Sequence, residues 1–160
     1  MTAADLSVPQ AERRFEDYVP GNVYEYGPIT LGEAEIIDFA RYYDPQEIHT
    51  DPAAAANGPF GGLIASGWQT VTVMMRLLVG GFLPKGAASL GSPGIDELRW
   101  IRPVRPGDAL RIRVTILETT RSRSRPDRGM VRGLIEVLNQ KDETVMSLRA
   151  MNLMRCREAS

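Results

Sequence analysis

A long apolar segment, residues 66–79, places the strongest constraint on the fold of this chain. Its side chains are apolar on almost every side of a helix, and Gly80 and Gly81 follow directly. A helix without a polar face must be enclosed by other elements. We therefore expect a buried helix over 66–79 that ends at the two glycines, with the remaining elements packed around it.

The second half of the chain has the period of β-strands. Four hydrophobic residues alternate with polar ones along one segment: Leu110, Ile112, Val114 and Ile116. This alternation indicates a strand with one wet face. Segments 130–139 and 144–154 predict a hairpin across 140–143, and residues 119–129 predict a long polar turn. With a short first strand over 23–26, the sequence predicts an α+β fold: about five mostly antiparallel strands wrapped around a central buried helix.

Two further helices are predicted from their start signals. Thr30 and Glu33 form a capping-box pattern that would open a helix over residues 31–43. Asp51 followed by Pro52 indicates the N-cap and first residue of a short alanine helix, which residues 57–59 stop.

Residues 44–49 contain the most reactive combination in the chain. Proline disfavours the α conformation in the residue before it, so Pro45 should end the preceding helix at Asp44. His49, the only histidine, follows five residues later, and both side chains are expected on one rigid turn. Imidazole titrates near neutrality, and a carboxylate beside it suits general acid–base chemistry.

Composition indicates a single globular domain. The chain has 160 residues, 43% hydrophobic and 24% charged, enough to form a core without crosslinks. We divide it into a polar arm, residues 1–14, and one domain, residues 15–160.

With one histidine and with Cys156 as the only cysteine, no zinc site of the usual nitrogen and sulfur ligands is expected. The absence of a signal-like or membrane-spanning segment predicts a cytoplasmic protein that does not insert into membranes.

Charge is unevenly distributed. Residues 1–80 carry four basic and eleven acidic side chains, whereas residues 81–160 carry fifteen and nine. The basic half could attract a polyanion such as the phosphates of coenzyme A, although solvated strand faces explain most of these arginines. The cluster Arg121, Arg123, Arg125 and Arg128 accompanies no nucleic-acid-binding motif, so no nucleic-acid partner is expected.

These motifs resemble the MaoC-like dehydratase family, which includes the (R)-specific enoyl-CoA hydratases. The family signature D-x-N-P-x-H corresponds to Asp44 through His49, and Gly67 corresponds to the glycine after a glycine-rich segment. Residues 98–108, LRWIRPVRPGD, are similar to the family's next strand and turn. The chain departs from the signature at Gln46 and Glu47, which replace asparagine and proline.

The resemblance implies a hotdog fold and the reversible hydration of a 2-enoyl thioester to an (R)-3-hydroxyacyl thioester. Asp44 and His49 would hold and activate the water, and the Gly67 N–H would bind the thioester oxygen. Gln46, Ser66 and Met75 are the predicted substrate-binding residues. The reaction would need no metal or redox cofactor, since coenzyme A enters as part of the substrate. The related hydratases pair their subunits, so the resemblance also implies a homodimer.

Two other function classes remain open. A hotdog thioesterase would use Asp44 to direct water at the carbonyl, and a non-catalytic acyl-binding subunit is compatible with the changes at Gln46 and Glu47. Taken alone, Asp44 is also explained as a turn residue and His49 as a partly buried histidine bonded to backbone. Trp68 and Trp100 are expected in the core or in an interface.

Overall fold

One five-stranded antiparallel sheet organises the molecule. The structure is a computed structural model that describes residues 6–157. The strands are β1 (Val23–Thr30), β2 (Ile95–Trp100), β3 (Ala109–Arg121), β4 (Arg128–Leu138) and β5 (Thr144–Arg155). Their order across the sheet is β1-β3-β4-β5-β2, and every neighbouring pair is antiparallel. The sheet packs around a central helix, so the predicted α+β hotdog architecture is confirmed.

The alternation along β3 is confirmed. Leu110 and Ile112 are fully buried, whereas Arg113, between Ile112 and the next buried residue, lies on the outer face and contacts Glu25 at 2.8 Å. The predicted β4–β5 hairpin is also present. The polar turn before β4 is shorter than predicted, because β3 and β4 stay paired up to Arg121 and only residues 122–127 connect them.

The central helix α4 (Gly67–Leu77) is buried on one face. Val73, Met74 and Leu77 belong to the core. The expectation of burial all round was wrong, because Met75 and Val79 are 41% and 54% exposed. The glycines do not end the helix either. The chain continues through a π-helical turn, Leu78–Phe82, because the Leu83 N–H still bonds to the Leu78 carbonyl at 2.9 Å.

Strand β1 is longer than predicted, and the proposed capping box is absent. Thr30 is the last residue of β1 and pairs with Ala109. The backbone N–H of Leu31 then bonds to the Asp108 carbonyl at 3.1 Å. Helix α1 (Glu33–Tyr43) consequently begins after Gly32, which offers no side-chain cap. Pairing with β3 makes Thr30 a strand residue two positions before the N-cap, so its hydroxyl is not at the helix start.

Two short helices follow α1. The first, α2 (Glu47–Thr50), carries His49, so the predicted rigid turn that holds Asp44 and His49 includes a short helix. The second, α3 (Pro52–Ala56), is confirmed. Its N-cap is Asp51, whose carboxylate accepts hydrogen bonds from the Ala53 and Ala54 N–H groups at 3.0 Å.

Residues 6–14 lie against the C-terminal end of the central helix, and residues 1–5 of the expected arm fall outside the described range. Gln10 donates to the carbonyls of Val79 and Leu83. Arg13, buried to 7% exposure, donates to the Gly81 carbonyl. The Tyr18 hydroxyl donates to the Phe82 carbonyl at 2.6 Å. We call these three donors the N-terminal clasp. They satisfy carbonyls that a helix end leaves without intrahelical partners.

Candidate active site

Asp44 and His49 lie side by side. Asp44 is the C-cap of α1, and the following Pro45 keeps it out of the helix, as predicted. His49 reaches across from α2, so that its Nε2 lies 3.3 Å from Asp44 Oδ2. The imidazole is buried, with its Nδ1 2.8 Å from the Ile64 carbonyl oxygen. Because a carbonyl only accepts hydrogen bonds, Nδ1 carries a hydrogen and Nε2 is the nitrogen available for chemistry.

Two further side chains hold the Asp44 carboxylate. The Gln46 amide donates to Oδ1 at 2.7 Å, and the Ser66 hydroxyl donates to Oδ2 at the same distance. The hydrogen bond from Gln46 is the main reason that the pKa of Asp44 is lowered, and the bond from Ser66 and the nearness of His49 act in the same direction against the effect of burial. Asp44 is therefore a carboxylate at neutral pH.

Ser66 has a role that the sequence did not reveal. Its side chain is fully buried and caps α4, accepting the Trp68 N–H at 3.3 Å while it donates to Asp44. Serine directly before an apolar helix is a recognisable N-cap signal. That signal could have placed the hydroxyl at the helix start, although not its contact with Asp44.

Gly67 is the first residue of α4. Its N–H has no acceptor within residues 6–157 and lies at the positive end of the helix dipole. Any larger residue at this position would displace the Trp100 ring, because a Cβ atom there would lie 2.4 Å from Cε2 and Nε1 of Trp100. The absence of a side chain thus lets an indole ring pack directly on the helix start.

A cleft of about 410 Å³ joins these groups. One wall carries Asp44, Gln46 and His49, and the first turn of α4 contributes Gly67. A second wall comes from the end of β2 and the turn after it, where Trp100 and other mainly apolar side chains line the space. The cleft therefore combines an acid–base pair, an unpartnered N–H and an apolar interior.

The structure does not bring Met75 into this cleft. Gly67, Trp68 and Thr70, in the first turn of α4, line it. Met75 lies five residues after Thr70, which places it roughly 140° further around the helix axis and more than a turn along it. It is 41% exposed and lies outside the cleft lining, so its contact with substrate stays a prediction.

The two tryptophans are cleft residues that the sequence did not identify as part of the site. Trp68 and Trp100 were expected in the core or in an interface, but they are 55% and 48% exposed and both line the cleft. Their rings meet edge to face, with centroids 5.2 Å apart and planes at 79°. No periodicity marks Trp100, because it lies on β2, an edge strand whose residues are mostly exposed.

Two arginines lie at or beside the cleft. Arg102 lines it and contacts Glu143 at 3.2 Å. Arg105 donates to the Phe60 carbonyl at 2.6 Å. Elsewhere the strand arginines pair with carboxylates, as Arg149 does with Glu97, so most of the positive charge of the second half lies on solvated strand faces.

Neither a membrane span nor a metal cluster is found in the part of the chain described. No helix within residues 6–157 combines the length and the hydropathy that crossing a membrane requires. Over the same range, no three His, Cys, Asp or Glu side chains converge in a way that could hold a metal ion.

Known proteins share this fold and part of this sequence. The MaoC-like dehydratase of Rhodospirillum rubrum superposes with a TM-score of 0.84 at 39% identity, over 91% of this chain and 99% of that one. The R-hydratase PhaJ1 of Pseudomonas aeruginosa superposes with a TM-score of 0.71 at 27% identity, over 91% and 86% of the two chains.

Sequence relatives agree with the structural ones. The 3-hydroxyacyl-thioester dehydratase Z of Mycobacterium tuberculosis is 36% identical over 84 residues, which are 52% of this chain and 56% of that protein. The family model described as MaoC like domain matches residues 15–137. Since that match spans well over half of the chain, the protein belongs to the MaoC-like domain family.

Proposed function

We propose that the protein catalyses the reversible hydration of a 2-enoyl thioester to an (R)-3-hydroxyacyl thioester. The observation that carries the proposal is the meeting of the Asp44–His49 pair with the unpartnered N–H of Gly67 in one apolar cleft. Hydration needs a base for water, a proton for the α-carbon and stabilisation of enolate charge on the thioester oxygen. Membership in a family with named hydratases and dehydratases supports the same reaction class.

The acid–base pair would act on one shared water. Asp44 Oδ2 is the carboxylate oxygen that lies near His49 Nε2, at 3.3 Å, so the water would be held between these two atoms. As the water oxygen bonds to the β-carbon, its proton passes to the pair. A proton from the same pair then goes to the α-carbon, and the water adds to one face of the double bond. The (R) product follows from the family resemblance.

The thioester oxygen would be bound at the start of α4. Negative charge develops on this oxygen as the β-carbon is attacked, and the Gly67 N–H can donate to it. The N-terminal end of a helix favours such charge. The carrier of the acyl group is coenzyme A or an acyl carrier protein, and the rim residues Arg102 and Arg105 are the cations that its phosphates would meet.

The test is to assay hydration of crotonyl-CoA and hydrolysis of saturated acyl-CoA side by side. We expect hydration without hydrolysis. Hydrolysis alone would instead indicate a thioesterase, and binding without either reaction a non-catalytic acyl-binding subunit.

Variants of the pair then test the shared water. Asp44→Asn and His49→Ala should each abolish hydration, and the double variant should be hardly worse, because groups that act as a unit are non-additive. Asp38→Asn is the matched control, since Asp38 is an exposed carboxylate on the same helix. Losses that multiply in the double variant would contradict a shared water.

A further inference from the structure

The indole of Trp100 occupies an unusual position for a half-exposed side chain. Its three ring atoms nearest to a Cβ built on Gly67 are Cε2 and Nε1 at 2.4 Å and Cδ2 at 2.8 Å. These atoms are neighbours in the five-membered ring, whereas an approach in the ring plane would bring Cζ2 closer than Cδ2. The ring therefore presents its face to Gly67, within about 4 Å of the glycine α-carbon.

The ring is held from a second side. Trp68, the next residue along α4, meets it edge to face with centroids 5.2 Å apart, a geometry that stabilises aromatic pairs. The backbone of Trp100 is fixed as well, because it pairs with Met146 on β5. Trp100 is thus supported by the helix start and by the sheet edge, although 48% of its surface is open to solvent.

The position matters because of what the Gly67 N–H is proposed to bind. If a thioester oxygen accepts that N–H, the carbonyl carbon and the acyl carbons beside it lie next to the glycine. Asp44 and His49 belong to the cleft wall formed by α1 and α2, and Trp100 belongs to the wall at the sheet edge, so those carbons would lie between them. Any substituent on the reacting carbons must fit between these two walls.

We propose that Trp100 is a specificity-determining residue that restricts the cleft to acyl chains unbranched at the two reacting carbons. The inference rests on the proposed function and adds to it the substrate class. The Trp100 side chain makes no hydrogen bond in the part of the chain described and has no assigned part in the proton transfers. Its effect is steric, because a close-packed wall resists an added methyl group.

The experiment compares three enoyl thioesters in the parent protein, Trp100→Ala and Trp100→Phe. The substrates are crotonyl-CoA, its 2-methyl derivative and its 3-methyl derivative, and the measured quantity is kcat/KM for each branched substrate relative to crotonyl-CoA. We expect the parent to favour crotonyl-CoA. In Trp100→Ala at least one of the two ratios should rise by roughly 10- to 200-fold, the usual effect of one methylene group in an enzyme pocket. Trp100→Phe should give an intermediate value and remains informative if the alanine variant folds poorly.

Ile95→Ala is the matched control. Ile95 begins the same edge strand, is 43% exposed and lies outside the cleft lining, so its truncation should leave both ratios at the parental value. Thermal melts of all variants accompany the kinetics. A merely structural role for Trp100 would lower kcat/KM for the three substrates in equal proportion, and unchanged ratios in Trp100→Ala would overturn the inference.

Binding measurements separate this inference from the proposed function. Calorimetry with the saturated analogues butyryl-CoA and isovaleryl-CoA requires no catalysis. Tighter binding of butyryl-CoA to the parent, with a smaller difference in Trp100→Ala, supports the wall at Trp100 even if crotonyl-CoA is not hydrated. Active hydration with equal discrimination in parent and variant would leave the proposed function standing and overturn the role of Trp100.

Discussion

The contact between Gly67 and Trp100 allows a stability prediction that is independent of catalysis. Gly67→Ala adds a Cβ atom 2.4 Å from two ring atoms, whereas ordinary contacts to a Cβ begin near 3.4 Å. The indole must therefore move by about an ångström or leave its place beside Trp68. Overpacking of this kind costs about 1–3 kcal/mol, and losing the aromatic pair costs about 0.5–1.5 kcal/mol.

The opposing effect is smaller. Gly67 is not in the left-handed region, so alanine fits its backbone and gains up to about 1 kcal/mol over glycine in a helix. We expect Gly67→Ala to lower the free energy of unfolding by about 1–2 kcal/mol in the parent. In a Trp100→Ala background the ring is gone, and the same change should be neutral or slightly stabilising.

Urea denaturation of the four proteins in this double-mutant cycle measures the coupling directly. Gly80→Ala is the matched control, because a Cβ there meets no atom within 4 Å. In thermal melts a loss of 1 kcal/mol corresponds to a shift of about 2–4 °C for a domain of this size. Costs of Gly67→Ala that agree within about 0.5 kcal/mol in the two backgrounds, the usual error of additivity, would refute the steric argument.

Four other outcomes are expected. Gln46→Leu removes the main hydrogen bond that lowers the pKa of Asp44. Since activity is lost as pH falls through that pKa, the acid limb of the kcat/KM profile should move to higher pH. An unmoved acid limb would argue against an ionised Asp44 in the reaction. Gly67→Pro in the Trp100→Ala background deletes the N–H at a helix position that tolerates proline. The hydration rate should fall by roughly a hundred- to a thousand-fold relative to that background. An unchanged rate with an unchanged thermal melt would show that the N–H does not bind the oxyanion. Arg13→Met should lower the free energy of unfolding in urea by about 1.5–3 kcal/mol, because a buried charged donor to the backbone is lost; a parental midpoint would contradict this. Light scattering should give about twice the 17.7 kDa chain mass, since exposed sheet edges need protection, and a stable monomer at micromolar concentration would rule out the homodimer.

The sequence predicted the sheet well because its signals are local. Alternation along β3 reports directly which side chains are buried. The failures arose where long-range contacts compete with local preference. Thr30 has the residue type of a helix cap, but strand pairing with Ala109 uses its backbone. The glycines after Val79 look like a helix stop, yet the N-terminal clasp binds the carbonyls there and the helical path continues to Phe82.

The same distinction applies to the candidate site. Asp44, His49 and Gly67 could be named from the order of their residue types and from the family resemblance, and the structure places all three around one cleft. Ser66 and Trp100 could not be placed, because what matters is which group each contacts across the fold. Ser66 contacts a residue 22 positions earlier in the chain, and no pattern in a single sequence reports such a pairing.

The N-terminal clasp shows that the recognisable part of this sequence is smaller than its folding unit. The family match begins at residue 15 and ends at residue 137, but Gln10 and Arg13 lie before it and strand β5 (Thr144–Arg155) lies after it, between β4 and β2. A protein trimmed to the matched residues would keep the signature motif, yet edge strand β2 would have no neighbour. The far end of the helix that begins at Gly67 would keep Tyr18 but lose Gln10 and Arg13, two of the three clasp donors. The ends of a fragment for expression or for domain fusion should therefore be chosen so that no hydrogen-bonded partner of the domain is cut away.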